Sequence, residues 1–426
     1  MRASMRHRSA LGDSMGLVPD SVCDGGAATG EALLAAAEEL TRDYGLLLND
    51  KVRLQWRGPD RGCAVVIVAP VAKGELLVWG PASPNTSVSS RYAHPWETAE
   101  FSSYCSGVET RPGTGSPDSA RLAVRLTSLL LQMGRSRSPS SPKLGPLERY
   151  ITACSSTVGP PSQWPAEARE LLAGSVIRSQ ADRDADLLRR EALRFQAQWP
   201  AGASPTPSRE EFLAAWARAD LLVTTRGFES HTDLDAMFCP VLDLVNHASK
   251  DNSNAEYGFT DKEFFLKAAT DIPAQSEATV CYDVEANFLE IWTRYGFFDE
   301  TAQNHSVQVQ VPPGYVSVAH TGGVYSIPSM EMPLECQLLR ELMETARWKR
   351  GAGETDAQAT QEALWRFASI IRVHLAGYPH NAGAPAVDTP DPLERYRRVA
   401  SAVVRYEKWL LKGTLQKVEA VVSFMS

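Results

Sequence analysis

The segment that opens with Asp243-Leu244-Val245-Asn246-His247 and closes with Tyr282 and the triplet Tyr295-Gly296-Phe297 decides how this chain is read. The apolar run Pro240-Val241-Leu242 precedes it, so the Asn-His pair stands at the end of a strand. Two tyrosines follow, thirteen residues apart. Each feature alone is ordinary. Asn-His caps a strand, and Tyr-Gly-Phe is aromatic core around a close-packed glycine. Their order and spacing carry the signal.

Upstream, Thr225-Arg226-Gly227-Phe228 follows a long helical stretch, and Arg61-Gly62 precedes the β-branched run Val65-Val66-Ile67-Val68. A turn at Lys73-Gly74-Glu75 leads to Leu76-Leu77-Val78. Taken with the Asn-His and tyrosine segment, this series resembles the SET-domain methyltransferases. It is most similar to the plant Rubisco large-subunit lysine methyltransferase group, whose SET domain is interrupted by a helical insert. Arg405-Tyr406-Glu407-Lys408-Trp409-Leu410-Leu411 resembles the Arg-x-x-Glu-Lys-x-x-Leu helix of that group's substrate-binding domain.

The resemblance implies an α+β protein: a β-rich SET fold interrupted by a helical insertion, then a mainly α-helical C-terminal domain. The expected organisation is a disordered leader over 1–28, a SET domain over 29–305 with its insertion at about 119–222, and a helical substrate-binding-like domain over 306–426. It also implies S-adenosylmethionine as methyl donor and a protein lysine as acceptor. Asn246 and His247 would bond the donor's adenine and methionine ends. Asp60, Arg61 and Gly62 match the element that approaches its methionine portion, and Arg226 the arginine that meets its carboxylate. Phe297 would pack on the adenine. Asp243 either touches the donor or anchors the turn. Tyr282 is the expected catalytic tyrosine, contacting donor and acceptor, with Tyr295 and Phe228 lining the acceptor channel.

The chemistry explains these residue types. In-line displacement at a methyl group asks mainly for positioning, with polar oxygens facing the positive reaction centre. A phenol with an ordinary pKa of about 10 orients and polarises rather than acting as a base. Burial of the acceptor ammonium beside a sulfonium lowers its pKa, so a water path for the proton suffices.

Some positions depart from the family pattern. Asp60 replaces the first glycine of a Gly-x-Gly element, and Gln275-Ser276-Glu277 replaces Gly-Glu-Glu. Tyr282-Asp283 stands where many members have Tyr-Gly, although plant members also carry Tyr-Asp. Asn287 keeps the common distance from Tyr282, and Tyr295 falls one residue later than in many relatives. Two rivals follow. The first is a histidine acceptor, which the apolar Phe228 and Leu242 disfavour, because histidine-methylating relatives carry asparagine and tryptophan there. The second is a non-catalytic SET scaffold that binds a partner.

Composition narrows the classes further. A net charge of −8 over 426 residues argues against direct nucleic-acid binding and is compatible with a basic protein substrate. The seven cysteines are dispersed with no C-x-x-C pair, so neither a zinc site nor a disulfide framework is expected. No apolar run approaches the roughly 18–20 residues that span a bilayer. The leader has Arg2, Arg6 and Arg8 without a signal-type apolar core. A monomer in the cytoplasm or nucleus is expected, with organelle targeting the alternative.

Periodicity predicts helices over Glu31–Tyr44, from Leu122 to Met133, Pro146–Ile151 and Trp164–Leu172. Residues 107–118 and 134–145 read as loops, the second carrying Arg-Ser-Arg-Ser. Ser208 with Glu211 forms a capping-box pattern that opens another helix. After Phe297, Val307, Val309 and Val311 read as strand. Helices are predicted over Leu338–Trp348, Ala363–Leu375 and Leu393–Phe424, with Gly377–Pro392 as a linker.

Overall fold

The computed structural model describes residues 27–58, 62–109, 116–135, 145–154, 159–201, 207–229, 236–283, 288–297, 304–311, 314–321, 344, 355–378 and 393–425. The chain enters through α1 (Ala27–Asp43), β1 (Leu47–Leu48), β2 (Val52–Trp56), β3 (Cys63–Ile67), β4 (Leu76–Pro81) and β5 (Val88–Ser89). Helices α2 (Ala99–Ser106), α3 (Pro117–Arg135), α4 (Pro146–Ala153), α5 (Ala166–Arg169), α6 (Val176–Ala197) and α7 (Arg209–Arg226) follow. The chain then returns to strands: β6 (Gly227–Glu229), β7 (Ala236–Phe238), β8 (Asn246–His247), β9 (Ala255–Phe259), β10 (Glu263–Ala268) and β11 (Thr279–Val280). Beyond these come α8 (Phe288–Tyr295), β12 (Asn304–Val311), β13 (Gly314–Thr321), α9 (Asp356–Gly377) and α10 (Glu394–Met425).

The strands form several small sheets. The largest has the order β1-β4-β10-β9, so β10, late in sequence, lies beside β4 from before the helical insertion. Residues of β10 alternate between half-buried and buried, which sends Phe264, Leu266 and Ala268 into the core. All five residues of β3 are buried, as the β-branched run requires. Two parts of sequence nearly two hundred residues apart therefore share one apolar core around Val65, Ile67, Phe264 and Leu266.

The insertion is helical as expected. On α3 the predicted stripe is buried at Leu122, Leu126, Leu129 and Met133, with Leu130 partly covered. Helix α7 opens with the expected capping box: Ser208 accepts from the Glu211 N–H while the Glu211 side chain accepts from the Ser208 N–H. Phe212 and Trp216 pack with Phe195 of α6 in a separate cluster.

Several sequence expectations are corrected. The helix expected over Trp164–Leu172 starts only at Ala166, because Trp164 is extended (ψ 150°) ahead of Pro165, and it runs as α5 and then a tighter 3-10 turn over Glu170–Leu172. Pro117 starts a helix inside the expected loop 107–118, as proline at a first helical position allows. Helix α1 begins at Ala27, inside the expected leader. The remainder of that leader, the Arg-Ser segment from 136 to 144, the linker over 379–392 and nearly all of the helix predicted over Leu338–Trp348 lie outside the described residues.

A second apolar cluster joins α9 and α10 to Trp164, Ile177 and Trp292. At its edge Ser175 caps α6 and donates to Glu407 of α10 (2.8 Å), which also accepts from the Tyr378 hydroxyl (2.9 Å). No cation balances this buried carboxyl among its bonded partners. Burial pushes its pKa up to about 7 from an ordinary 4.5, against the pull of the two hydroxyl donors. The folded state thus favours the protonated acid. Its stabilising contribution is complete below the ordinary value and is lost as pH rises through about 7, a difference on the order of 3 kcal/mol. Glu407→Gln fixes the neutral form. Unfolding free energies of both proteins at pH 5 and pH 8 should show the variant gaining about 2–3 kcal/mol relative to wild type at the higher pH. An unchanged difference would contradict the burial argument.

Candidate active site

Between β7 and β8 the chain makes a strained turn. Val241 has φ 71°, a left-handed conformation that β-branched residues avoid. Tyr150 of α4 holds it: the Val241 N–H donates to the Tyr150 hydroxyl (2.9 Å), which donates to Asp243 Oδ1 (2.5 Å). Asp243 Oδ2 faces Arg226 Nη1 at 2.8 Å, the carboxylate having no solvent exposure and the arginine side chain 19%. Burial raises the Asp243 pKa, while the guanidinium and the Tyr150 hydroxyl pull it back. The carboxylate is therefore spent on anchoring. Of the two roles considered for Asp243, these bonds fit the anchoring of the turn.

The turn delivers Asn246 and His247 to β8, which runs parallel to β11 with Asn246 opposite Thr279 and His247 opposite Val280. The Asn246 amide donates to the Cys63 carbonyl (3.0 Å) and to Glu277 Oε1 (2.6 Å), joining β3 to this crossing. Just after β11 the Tyr282 N–H donates to His247 Nδ1 (3.1 Å). That bond makes Nδ1 the acceptor and assigns the proton of a neutral imidazole to Nε2. The Tyr282 hydroxyl donates to the Val245 carbonyl (2.6 Å), leaving its oxygen lone pairs as acceptors.

Gly296 closes α8 in the left-handed conformation (φ 79°), its N–H returning to the Trp292 carbonyl (2.8 Å). This reversal brings Tyr295 and Phe297 to the same cluster. The Tyr295 ring lies 4.9 Å from Tyr282, and Phe297 lies 5.8 Å from His247 and 6.0 Å from Tyr282. Tyr282 thus belongs to two groups at once: the His247–Phe297 side and an open cleft of about 860 Å³ that it lines with Tyr295, Phe228 and Tyr257.

Tyr257 was missed in the sequence. It sits mid-strand on β9 with its ring 4.8 Å from Phe228, edge to face, and only the fold brings it to the cleft. Nothing in its local sequence distinguishes it from strand packing. Burial raises the pKa of Tyr257, Tyr282 and Tyr295 alike, so all three phenols stay protonated at neutral pH. The site offers polarised hydroxyls and aromatic walls rather than a phenolate base.

Gly62 also takes a left-handed φ (65°), with open space where a side chain would stand. Asp60, Arg61 and Asn287 lie outside the described residues. Gln275, where the family pattern has glycine, retains the left-handed turn (φ 66°), a strain of roughly 1–2 kcal/mol.

No family model matches the chain. SET domain-containing protein 8 of Schizosaccharomyces pombe is 29% identical over 163 residues, 37% of this chain and 35% of that protein. The match thus covers about a third of the length of this curated relative. The crystal structure of the SET domain of LSMT bound to lysine and AdoHcy has a TM-score of 0.61 over 92% of each chain, at 15% identity. Rubisco LSMT bound to sinefungin and monomethyllysine gives 0.65 over 92% of this chain and 93% of that one, at 14% identity. The chain has the SET fold of these structures, as the resemblance implied.

Proposed function

We propose, taking the SET fold as premise, that this chain is an S-adenosylmethionine-dependent methyltransferase whose acceptor is a lysine side chain of a protein. The carrying observation is the double membership of Tyr282, which touches His247 and Phe297 on one side and lines the cleft with Tyr295 on the other.

The residues present fit the donor. Gly62 leaves room for close backbone approach, Asn246 and His247 stand at a braced strand crossing, and Phe297 supplies an aromatic face. Arg226, oriented by Asp243, adds positive charge for a carboxylate. Asp60 and Arg61 keep their proposed donor role on sequence grounds alone. S-adenosylmethionine, when bound, supplies an activated methyl on a sulfonium. Tyr282 orients the reacting centre through its hydroxyl oxygen, whose proton is committed to the Val245 carbonyl. Phe228, Tyr257 and Tyr295 enclose the acceptor's aliphatic stem, and their apolar faces favour its neutral amine. Phe228 offers no hydrogen bond to an imidazole, which supports lysine over histidine.

The test joins donor binding by calorimetry to transfer of labelled methyl into proteins of a cell extract, with amino-acid analysis of the product. Binding of the donor and label recovered as methyllysine are expected. Label on histidine would replace the acceptor, and a folded chain that does not bind the donor would point to the scaffold.

A further inference from the structure

The helical insertion forms one wall of the cleft, and its lining has a pattern the reaction itself does not require. On α6, Asp184, Leu188 and Glu191 recur at helical spacing, and on α7, Trp216, Asp220 and Thr224 do the same. Both stripes face the space that Tyr282 and Tyr295 line. Among the described residues, the charged lining consists of Asp184, Glu191, Asp220, Glu229 and Asp283 against the single cation Arg294.

That cation is already engaged by Asp283 at 2.9 Å. Glu191 has Arg194 at 3.2 Å, and Glu229 accepts from the hydroxyls of Ser116 and Ser119. Among the described residues Asp220 bonds the neutral Gln163 amide (2.8 Å), while the neighbouring Arg183 offsets only part of the burial at Asp184. Burial pushes the Asp220 pKa up to about 6, with Glu191 adding to the rise, and burial also raises that of Asp184. A cation seated on this wall would relieve the penalty at either carboxyl. An independent feature lies in the same wall. Trp216 is 3% exposed, and its indole N–H has no acceptor among the described residues. That nitrogen is itself buried, so a peptide carbonyl would reach it only with a shift of the side chain.

We propose that this wall selects a basic protein segment, seating an arginine or lysine that flanks the acceptor lysine against Asp184, Glu191 and Asp220. The proposal rests on the reading of the cleft as the acceptor side, and it gives that reading a substrate class.

The test uses two fluorescent peptides, each with one central lysine in a Gly/Ser/Ala sequence, one of them with arginines on both sides. Their binding to the full chain is followed by anisotropy at low salt, for wild type, Asp184→Asn and Asp184→Asn/Asp220→Asn. Wild type should bind the arginine-flanked peptide about tenfold more tightly, and the double variant should lose most of that preference with little change for the neutral peptide. Equal binding of the two peptides, or a preference that survives both substitutions, would overturn the proposal. Asp184 is partly exposed, so its single variant gives a partial loss even where the Asp220 change perturbs folding. Donor binding measured on the same proteins separates the two ideas. Donor binding and turnover without charge preference would remove the basic segment, whereas charge preference without donor binding would keep the segment and remove the transfer.

Discussion

Asp243→Ala is expected to destabilise the chain by about 3–5 kcal/mol, the range for removing one partner of a buried ion pair. Three losses act together. The Arg226 guanidinium keeps its charge in a site only 19% exposed on the arginine side, without the carboxylate 2.8 Å away. The buried Tyr150 hydroxyl loses its acceptor while still receiving the Val241 N–H. The strained Val241 turn then has a weaker hold on the strand that carries Asn246 and His247. Because breaking a buried pair is worse than replacing it, Arg226→Met/Asp243→Leu should recover part of the loss. Denaturant unfolding of Asp243→Ala and of the double variant measures both effects. A cost below about 1 kcal/mol for Asp243→Ala would show that the pair is not structural.

The part of this arrangement that was legible in sequence is the part whose residues lie close together in sequence or at a fixed helical or strand spacing. Asn246, His247, Tyr282, Tyr295 and Phe297 belong to one segment, and the fold brings the last four into one aromatic cluster. Ser208 and Glu211 announce a helix start because the capping box is a local reciprocal bond. Tyr150 was legible only as a residue of the predicted helix Pro146–Ile151. Its hydroxyl meets Asp243 across ninety-three residues of sequence, and periodicity says nothing about what a buried phenol bonds. Tyr257 was hidden for a related reason, since its place depends on the register of β9 against β10, where Tyr257 stands opposite Leu266. Helix α6 is less legible because its buried stripe is carried largely by small residues, Ala181, Ala185 and Ala192, between Ile177 and Phe195. The later start of the helix after Trp164 follows from Pro165, whose constraint on the preceding residue outweighs the apolar spacing.

Tyr282→Phe is expected to lower kcat for methyl transfer by roughly 10²–10³, the scale seen when one preorganised polar contact at a reacting centre is removed. Donor affinity should change little, because the ring contacts with His247 and Phe297 survive the substitution. The fold should lose only about 1–2 kcal/mol, from the Val245 carbonyl left without the hydroxyl donor. This separation of effects follows from the geometry. The hydroxyl proton is fixed on Val245, so what the phenylalanine removes is an oxygen acceptor facing the reaction, not a bulky wall of the channel. Burial holds the phenol protonated, so the wild-type rate should show no ionisation of Tyr282 between about pH 6 and 9. Tyr295→Phe supplies the contrast: as a channel residue on the cleft side, it should raise KM for the acceptor more than it lowers kcat. Steady-state transfer of labelled methyl, with acceptor and donor varied in turn, reads all of these quantities. A kcat for Tyr282→Phe within about threefold of wild type would take the hydroxyl out of the reaction and leave Tyr282 as packing between the two sides of the site.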